Sequence, residues 1–296
     1  MNLKQSISLS KYAASLLFVV ILFGVSQAQI PASTPQPTPQ ASPTPTPSLE
    51  KKFFKNILSD QKGIWTFPLR VDRDDAKWLV PLGISTGALL ATDIHTARSL
   101  DYDPDRLNPS RYISYLGSSY GAAAIAGTFY LVGRTSGNAR ARETGLLGGE
   151  ALIDSAIVVT ALKGVSQRKR PLSGGDAGEF WDGGQSFPSG HAITAWTLAT
   201  VVASEYRDHR AVQITAYGLA SLISIARFTG QNHFLSDALV GSALGYGIGR
   251  YVYSRHHDPA LDGQTTRHAH SKLMPLVTPV YERSERAYGG ALLWSF

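Results

Sequence analysis

Residues 188–206 read PSGHAITAWTLATVVASEY, and this stretch decides the fold. It opens with proline and small polar residues, which are typical of a helix start, and it carries no charged residue between His191 and Glu205. Apolar stretches of similar length follow at 211–227 and 235–253, separated by short turns that contain Arg, Asp or Gly. The pattern predicts consecutive helices that pack against one another.

The sequence upstream of this stretch is helical in pattern as well. Apolar segments rich in Gly, Ala and Ser suit close helix packing, in water or in lipid. Between residues 52 and 255 the chain therefore predicts an all-α bundle of about six long helices. Besides the three segments above, the predicted helices are 77–93, 113–132 and 143–163, with a short amphipathic piece at 53–58.

The N-terminal residues predict export. A positively charged start precedes an apolar run from Ala13 to Val25, and Ser26-Gln27-Ala28 fits a small-x-small cleavage site. We therefore predict a signal peptide at 1–28. Residues 29–51 are rich in Pro and Thr, which predicts a disordered, extended tether. The following domain is expected to be exported, and to be periplasmic or membrane-associated and facing the periplasm.

The C-terminal residues 256–296 predict a polar tail and a β-hairpin. The two strands are expected at 273–281 and 288–296, on either side of a charged turn at 282–286. Four histidines fall in the tail, but their spacing fits no ligand pattern, so it favours a solvated tail over a metal site. These histidines are His256, His257, His268 and His270.

Composition excludes several classes of function. The chain has no cysteine, which excludes disulfides, thiolate catalysis and cysteine-ligated zinc. The net charge is +6, yet no basic stripe with interleaved aromatics is present, so a nucleic-acid partner is not predicted. The acidic turn at 101–105 lacks the Gly and Glu that a calcium-binding EF-hand loop needs, and no metal ligands are predicted.

Three segments far apart in sequence are expected to meet at one end of the bundle. The helix that begins at Ser189 runs away from this end, and the next helix returns to it at Arg227. The preceding helix closes at Lys163, and the loop after Arg227 delivers His233. The polarity of the helices therefore places cations, a helix start and a histidine side by side.

These residue types suit the binding of a phosphoryl group. Guanidinium and ammonium groups neutralise its charge, and the exposed N–H groups of a helix start bind anions. A serine adds a hydroxyl, and a glycine lets the backbone approach closely. The predicted phosphate-binding residues are Lys163, Arg170, Ser189, Gly190 and Arg227.

Two histidines and a carboxylate supply the predicted catalytic groups. His233 is the candidate nucleophile, because Asp237 lies four residues later and is expected to hold one imidazole nitrogen. His191 is expected to act as general acid on the leaving group and then as general base for water.

The motifs K-x6-R-P at 163–171, P-S-G-H at 188–191 and R-x5-H-x3-D at 227–237 resemble those of a known superfamily. It comprises type 2 phosphatidic acid phosphatases, bacterial class A acid phosphatases and vanadium haloperoxidases. The family pattern has a serine where this chain has Ala226. The resemblance implies a metal-independent phosphohydrolase that works through a phosphohistidine, needs no cofactor and is inhibited by vanadate as a transition-state mimic.

Several alternatives remain open at this point. The substrate is either a phosphorylated small molecule, such as a phosphomonoester, or a lipid (pyro)phosphate. The rival functions are a vanadium-dependent haloperoxidase, which the chain length disfavours, and a non-catalytic protein that binds phosphate or lipid headgroups. Segments 113–132 and 211–226 could span a bilayer, but the expected orientation of the site favours a water-soluble or membrane-associated domain. The oligomeric state is not indicated.

Overall fold

The computed structural model describes residues 49–100, 110, 112–115 and 117–261, together with the backbone of 276–282 and 287–293. The predicted signal peptide, most of the tether, the acidic turn at 101–105, His268 and His270 lie outside the described residues. The long helices of the described part are α1 Leu49–Thr66, α2 Arg73–Arg98, α3 Ser119–Ser136, α4 Ala139–Ser166, α5 Gly190–Glu205, α6 Arg210–Thr229 and α7 Leu235–His256.

The all-α prediction is confirmed, with one long helix more than expected among the described residues. The short piece predicted at 53–58 is part of the full helix α1. Short 3-10 turns supplement the helices at Phe67–Leu69, Gly174–Asp176 and Pro259–Leu261.

Helix caps explain where two helices begin differently from the prediction. In α2, the Asp72 carboxylate accepts hydrogen bonds from the backbone N–H groups of Asp74 and Asp75, so the helix starts at Arg73 and Pro81 lies inside it. Residues 112–115 are helical, but the helix predicted at 113–132 is interrupted at 117–118, and the long helix begins at Ser119, where Ser118 Oγ accepts a hydrogen bond from the Gly121 N–H.

Helix α5 is the centre of the bundle and packs against α4, α6 and α7. Its residues Ile193 and Val201 are completely buried. They form the main core cluster with Leu147 of α4 and Val252 of α7. Burial of this kind, at roughly 25 cal/mol per Å² of apolar surface, is what holds the helices together.

A row of glycines on one face of α7 lets this helix approach α5 closely. Gly241, Gly245 and Gly249 recur every four residues and therefore share a face. A Cβ atom at any of them would collide with a backbone carbonyl oxygen of α5; the three oxygens belong to Ser189, Ile193 and Thr197. The two backbones therefore touch without intervening side chains.

The described C-terminal segments are two antiparallel strands, β1 Leu276–Glu282 and β2 Ala287–Leu293. Leu276 lies opposite Leu293, and Glu282 lies opposite Ala287. Only the backbone of these strands is described. The fold class is therefore assigned from the helices.

Two helices among the described residues, α4 and α6, are long and apolar enough to cross a membrane. Helix α4 is partly a core helix, since 44% of its apolar window is buried, whereas only 22% of the α6 window is buried. Large apolar side chains of α6 are exposed, notably Ile214 at 73%, Leu222 at 51% and Ile225 at 54%. Helix α6 therefore presents an apolar face outward.

The glycine face of α7 predicts a sharp difference between two alanine substitutions. Gly245→Ala should lower the free energy of unfolding by about 1–3 kcal/mol, because its methyl group has no space against α5. Gly247→Ala is the matched control, since no described residue lies within 4 Å of an added Cβ, and it should raise stability by up to about 1 kcal/mol. Thermal unfolding of both variants checks this, and equal midpoints would contradict the close approach.

Candidate active site

The structure brings the predicted catalytic and phosphate-binding residues to one end of the bundle. Lys163 lies in the last turn of α4, and Arg227 lies in the last turn of α6. His191 lies in the first turn of α5, where the charges of Arg227, Lys163 and Arg170 act on its imidazole. The convergence expected from helix polarity is therefore present.

His233 is buried, with 2% of its surface exposed, and is held in a defined orientation. Its Nδ1 lies 2.7 Å from the backbone carbonyl oxygen of Ser186. Because a carbonyl oxygen can only accept, Nδ1 must carry the proton, and Nε2 of the neutral ring keeps its lone pair. The backbone N–H of His233 also donates to the Arg227 carbonyl at 3.2 Å, which fixes the loop after α6.

Asp237 positions His233 differently from the prediction. Its Oδ2 lies 3.6 Å from His233 Nδ1, which is longer than a normal hydrogen bond. The same oxygen accepts hydrogen bonds from Ser186 Oγ at 2.5 Å and from the Phe234 N–H at 2.9 Å. Asp237 therefore fixes Ser186, whose carbonyl holds the imidazole, and it also fixes the backbone next to His233.

The pKa shifts of this pair have clear physical causes. Burial lowers the pKa of His233, and the nearby charges of Arg227 and Arg170 lower it further against the opposing effect of Asp237. Burial alone would raise the pKa of Asp237, but the interactions with His233, Arg168 and Ser186 outweigh it and lower the pKa. At neutral pH the site therefore combines a neutral imidazole with an ionised carboxylate.

His191 lies close to several cations. Burial first, and then the charges of Arg227, His233, Lys163 and Arg170, lower its pKa to about 4. The imidazole is therefore neutral at pH 7 while no anion is bound.

The predicted phosphate-binding residues differ in solvent exposure and in the hydrogen bonds of their polar groups. Arg227 is only 8% exposed, and its Nε has no hydrogen-bond partner among the described residues. Lys163 is half-buried, whereas Arg170 is exposed. An added Cβ at Gly190 would lie 3.7 Å from Lys163 Nζ, so the start of α5 directly faces this ammonium group.

Ser189 has a structural role as the cap of α5. Its side chain is fully buried, and its Oγ accepts the Ala192 N–H at 3.5 Å as the N-cap of α5. Its own N–H donates to the Asp237 carbonyl oxygen at 3.0 Å. Ser189 therefore ties the start of α5 to the start of α7, so that His191 and His233 keep a fixed separation.

Arg168 is the functional residue that sequence reasoning missed. It is 2% exposed, and its Nη1 donates to Asp237 Oδ1 at 2.7 Å and to Ser236 Oγ at 2.8 Å. Its guanidinium lies over the ring of Phe234, with 4.2 Å between Cζ and the ring centroid. In the sequence Arg168 is one of three consecutive basic residues, and nothing in that run distinguishes the buried one.

Asp93 connects helix α2 to this network. It is 1% exposed, and its Oδ2 accepts a hydrogen bond from Arg168 Nη2 at 3.0 Å. Its carboxylate also accepts from the N–H of Ser236 at 3.3 Å and from the Ser236 hydroxyl. A residue that the sequence marked only as the end of a predicted helix therefore anchors α2 to the active-site end of α7.

The loop between α4 and α5 wraps around the Arg168 backbone. The Ser186 N–H donates to the Arg168 carbonyl oxygen at 2.8 Å, and the Lys169 N–H donates to that of Glu179 at 2.8 Å. Gly184 lies so close to the Arg168 carbonyl group that no side chain would fit. The packing of Gly184 on Arg168 fixes the end of the loop, so that the Ser186 carbonyl oxygen lies beside His233 Nδ1.

Comparisons with known proteins agree with the motifs. Residues 145–259 match the model of the PAP2 superfamily, and this segment contains all the predicted site residues. The resemblance expected from the sequence is therefore confirmed over this segment.

Individual relatives and solved structures show weaker or partial similarity. A 69-residue stretch is 36% identical to lipid A 1-phosphatase of Porphyromonas gingivalis, and it covers 23% of this chain but only 16% of that protein. A crystal structure of a transmembrane PAP2 type phosphatidylglycerolphosphate phosphatase from Bacillus subtilis aligns with 59% of this chain and 94% of its own, at 22% identity and a TM-score of 0.46. Aquifex aeolicus LpxE aligns with 55% of this chain and 94% of its own, at 21% identity and a TM-score of 0.43.

Removal of the buried guanidinium should destabilise the protein strongly. In Arg168→Met the carboxylates of Asp93 and Asp237 would remain buried without their cation, which costs about 3–5 kcal/mol. Lys169→Met is the matched control, because Lys169 forms only a partly exposed ion pair with Asp182 at 3.2 Å, and its loss should cost less than about 1 kcal/mol. Thermal unfolding measures both, and similar midpoints for the two variants would contradict the assigned role of Arg168.

Proposed function

We propose that the chain is a phosphatase that hydrolyses phosphorylated lipids through a phosphohistidine on His233, without a metal. The match of residues 145–259 to the PAP2 superfamily model supports this proposal. The observation that carries this proposal is the 2.7 Å contact between His233 Nδ1 and the Ser186 carbonyl oxygen. This contact leaves the Nε2 lone pair available to a phosphorus atom bound among the surrounding cations.

The first chemical step forms a bond from His233 Nε2 to phosphorus while the bond from phosphorus to the leaving oxygen breaks. His191 donates a proton to that oxygen. In the second step water attacks the phosphohistidine, His191 takes the proton from the water, and the phosphorus–nitrogen bond breaks. Inorganic phosphate leaves, and both histidines return to their starting states.

The cations of the site stabilise charge on the transferring group. Lys163, Arg170 and Arg227 face the phosphoryl oxygens. The Nε of Arg227, which has no hydrogen-bond partner among the described residues, is a donor already desolvated for this purpose. The first N–H groups of α5, at Gly190 and His191, add the anion-binding capacity of a helix start. Ser189 supports this arrangement as the cap of that helix.

The general-acid role of His191 requires its pKa to rise when substrate binds. In the free protein, burial and then the nearby cations hold the pKa of His191 at about 4, so the imidazole is unprotonated at pH 7. A bound phosphate dianion offsets those cations and raises the pKa of the same imidazole. The protein therefore acquires its acid together with its substrate.

Exposed apolar groups around the site support a lipid substrate and membrane association. Trp181 is 77% exposed, Leu172 is 70% exposed and Val165 is 69% exposed, and all three lie in or next to the loop between α4 and α5. The apolar face of α6 described above is also outward-facing. A lipid phosphate would place its headgroup among the cations and its chains against such surfaces, and we place this site on the periplasmic side.

Phosphate release from vesicles that contain phosphatidic acid tests the proposed activity. The full purified chain should release phosphate in the presence of EDTA, and His233→Ala should lose at least about a thousandfold in kcat/KM, because the nucleophile is absent. The matched control is His209→Ala, since His209 is a partly exposed histidine at the N-terminus of α6, at the opposite end of this helix from Arg227. This control should retain wild-type activity.

Further outcomes separate the alternatives. A phosphorylated protein that is stable to alkali and labile to acid is expected in His191→Ala and absent in His233→Ala. Release from p-nitrophenyl phosphate but not from the vesicles would overturn the lipid substrate. If neither substrate releases phosphate and the vanadate-loaded protein oxidises bromide, the result would favour a haloperoxidase. If the protein binds anions but shows neither activity, the result would favour a non-catalytic protein.

Anion binding should be coupled to proton uptake by His191. Sulfate keeps its charge above pH 3, so any proton taken up on binding belongs to the protein. The pKa of His191 rises on binding from about 4, so sulfate affinity should increase as the pH falls from 8 towards 5. Calorimetry in two buffers of different ionisation enthalpy should detect the proton, and His191→Ala should take up less than the wild-type protein. Equal uptake by that variant would refute this coupling.

A further inference from the structure

A second cluster of ionisable side chains joins α1, α4 and α7 apart from the site described above. One donor atom from each of Asp60, Glu150 and His256 lies within 4.8 Å of the others. Asp60 is fully buried and Glu150 is 2% exposed. His256, expected to belong to a solvated tail, is instead partly buried in the last turn of α7, and its Nε2 lies 2.7 Å from Asp60 Oδ2.

Buried carboxylate oxygens in this cluster have no hydrogen-bond partner among the residues that the structure describes. Glu150 Oε1 accepts a hydrogen bond from Asn56 Nδ2 at 3.0 Å, but its Oε2 has no partner in the described part of the chain. Asp60 Oδ1 has no hydrogen-bond partner among the described residues either, and it lies 3.8 Å from Nε of the half-exposed Arg255. A buried oxygen of this kind is costly unless something binds it.

Asp154 adds a third carboxylate one turn along α4 from Glu150. It is fully buried, and its Oδ1 accepts from Gln61 Nε2 at 2.8 Å, whereas its Oδ2 has no hydrogen-bond partner among the described residues. Three neighbouring carboxylates therefore face one histidine and one peripheral arginine. Carboxylate oxygens buried in this way can bind a cation that enters the cluster.

We propose that Asp60, Glu150 and His256 bind a divalent transition-metal ion, with Zn²⁺ as the best fit, and that Asp154 supports this site. One imidazole and two carboxylates are ligands that zinc accepts, and the chain offers no thiolate to compete. Two ligands on one zinc ion are about 3.3 Å apart, given bonds of about 2.0–2.1 Å in a tetrahedron. The hydrogen bond between His256 and Asp60 therefore opens when the ion enters.

The proposed metal has a structural role and no part in phosphate chemistry. Glu150 precedes Lys163 by thirteen residues on α4, which places it about 20 Å along the helix from the phosphate-binding cations. Asp60 belongs to α1, which lies outside the segment that matches the superfamily model. The ion would fasten this helix to α4 and α7, so it should change stability and leave the EDTA-resistant activity intact.

Metal analysis of the full chain tests the proposal. After incubation with ZnCl₂ and desalting, wild-type protein should retain about one zinc per chain by mass spectrometry, and zinc should raise its thermal midpoint. Glu150→Gln, which keeps the size of the side chain and the Asn56 contact, should retain at least tenfold less zinc and show no midpoint shift. His256→Gln should behave in the same way, which guards against a folding defect specific to one variant.

Matched controls exclude other zinc sites. Asp74→Asn removes an exposed carboxylate, and a variant with both His268→Ala and His270→Ala removes the two histidines furthest along the tail, so both should keep the zinc. Glu205→Gln alters the other described group of two carboxylates and a histidine, Glu143, Glu205 and His257, and should keep the zinc too. The proposal is overturned if wild type retains no more zinc than Glu150→Gln, or if any of these three controls loses it.

Discussion

The buried guanidinium of Arg168, shared by the carboxylates of Asp93 and Asp237, is the interaction on which the active-site end depends. One planar group with several donors satisfies two acids that could not be buried without it. Through these contacts α2, the loop after α4 and the start of α7 are joined at a single point. The orientation of His233 follows from this junction, because Asp237 holds Ser186 and Ser186 holds the imidazole.

The site combines this rigid junction with three neighbouring cations, Lys163, Arg170 and Arg227, whose charges act on one another. The buried Nε of Arg227 has no hydrogen-bond partner among the described residues, and the charge of Arg227 adds to the effect of burial that keeps the His191 imidazole neutral. An anion that enters therefore relieves an electrostatic strain already present in the protein. Electrostatic preorganisation of this type stabilises developing charge at little cost in reorganisation during the reaction. The free energy of folding and the affinity for phosphate are therefore linked through these cations.

The sequence predicted the helices and the meeting of the motifs, because apolar runs, helix caps and helix polarity are local properties. It did not predict the buried ion pairs. Arg168 looks like its basic neighbours, and Asp93 looks like any residue near the end of a helix, until the fold places them together. The role of Asp237 was predicted in part: its proximity to His233 follows from spacing, whereas the hydrogen bond through Ser186 depends on how the preceding loop folds. The capping sequence at Asp72 was readable, and it would have placed the start of α2 correctly.

The glycine face of α7 has a consequence for how such a protein can diversify. Three carbonyl oxygens of α5 rest on three glycines, so sliding one helix along the other would bring side chains against those oxygens. The relative height of His191 and His233 is thereby locked into the backbone itself. Variation that adapts the protein to a new substrate must therefore accumulate elsewhere, in the loop between α4 and α5 and on the outer helix faces. The substrate that the protein accepts can then change over evolutionary time while the catalytic geometry stays the same.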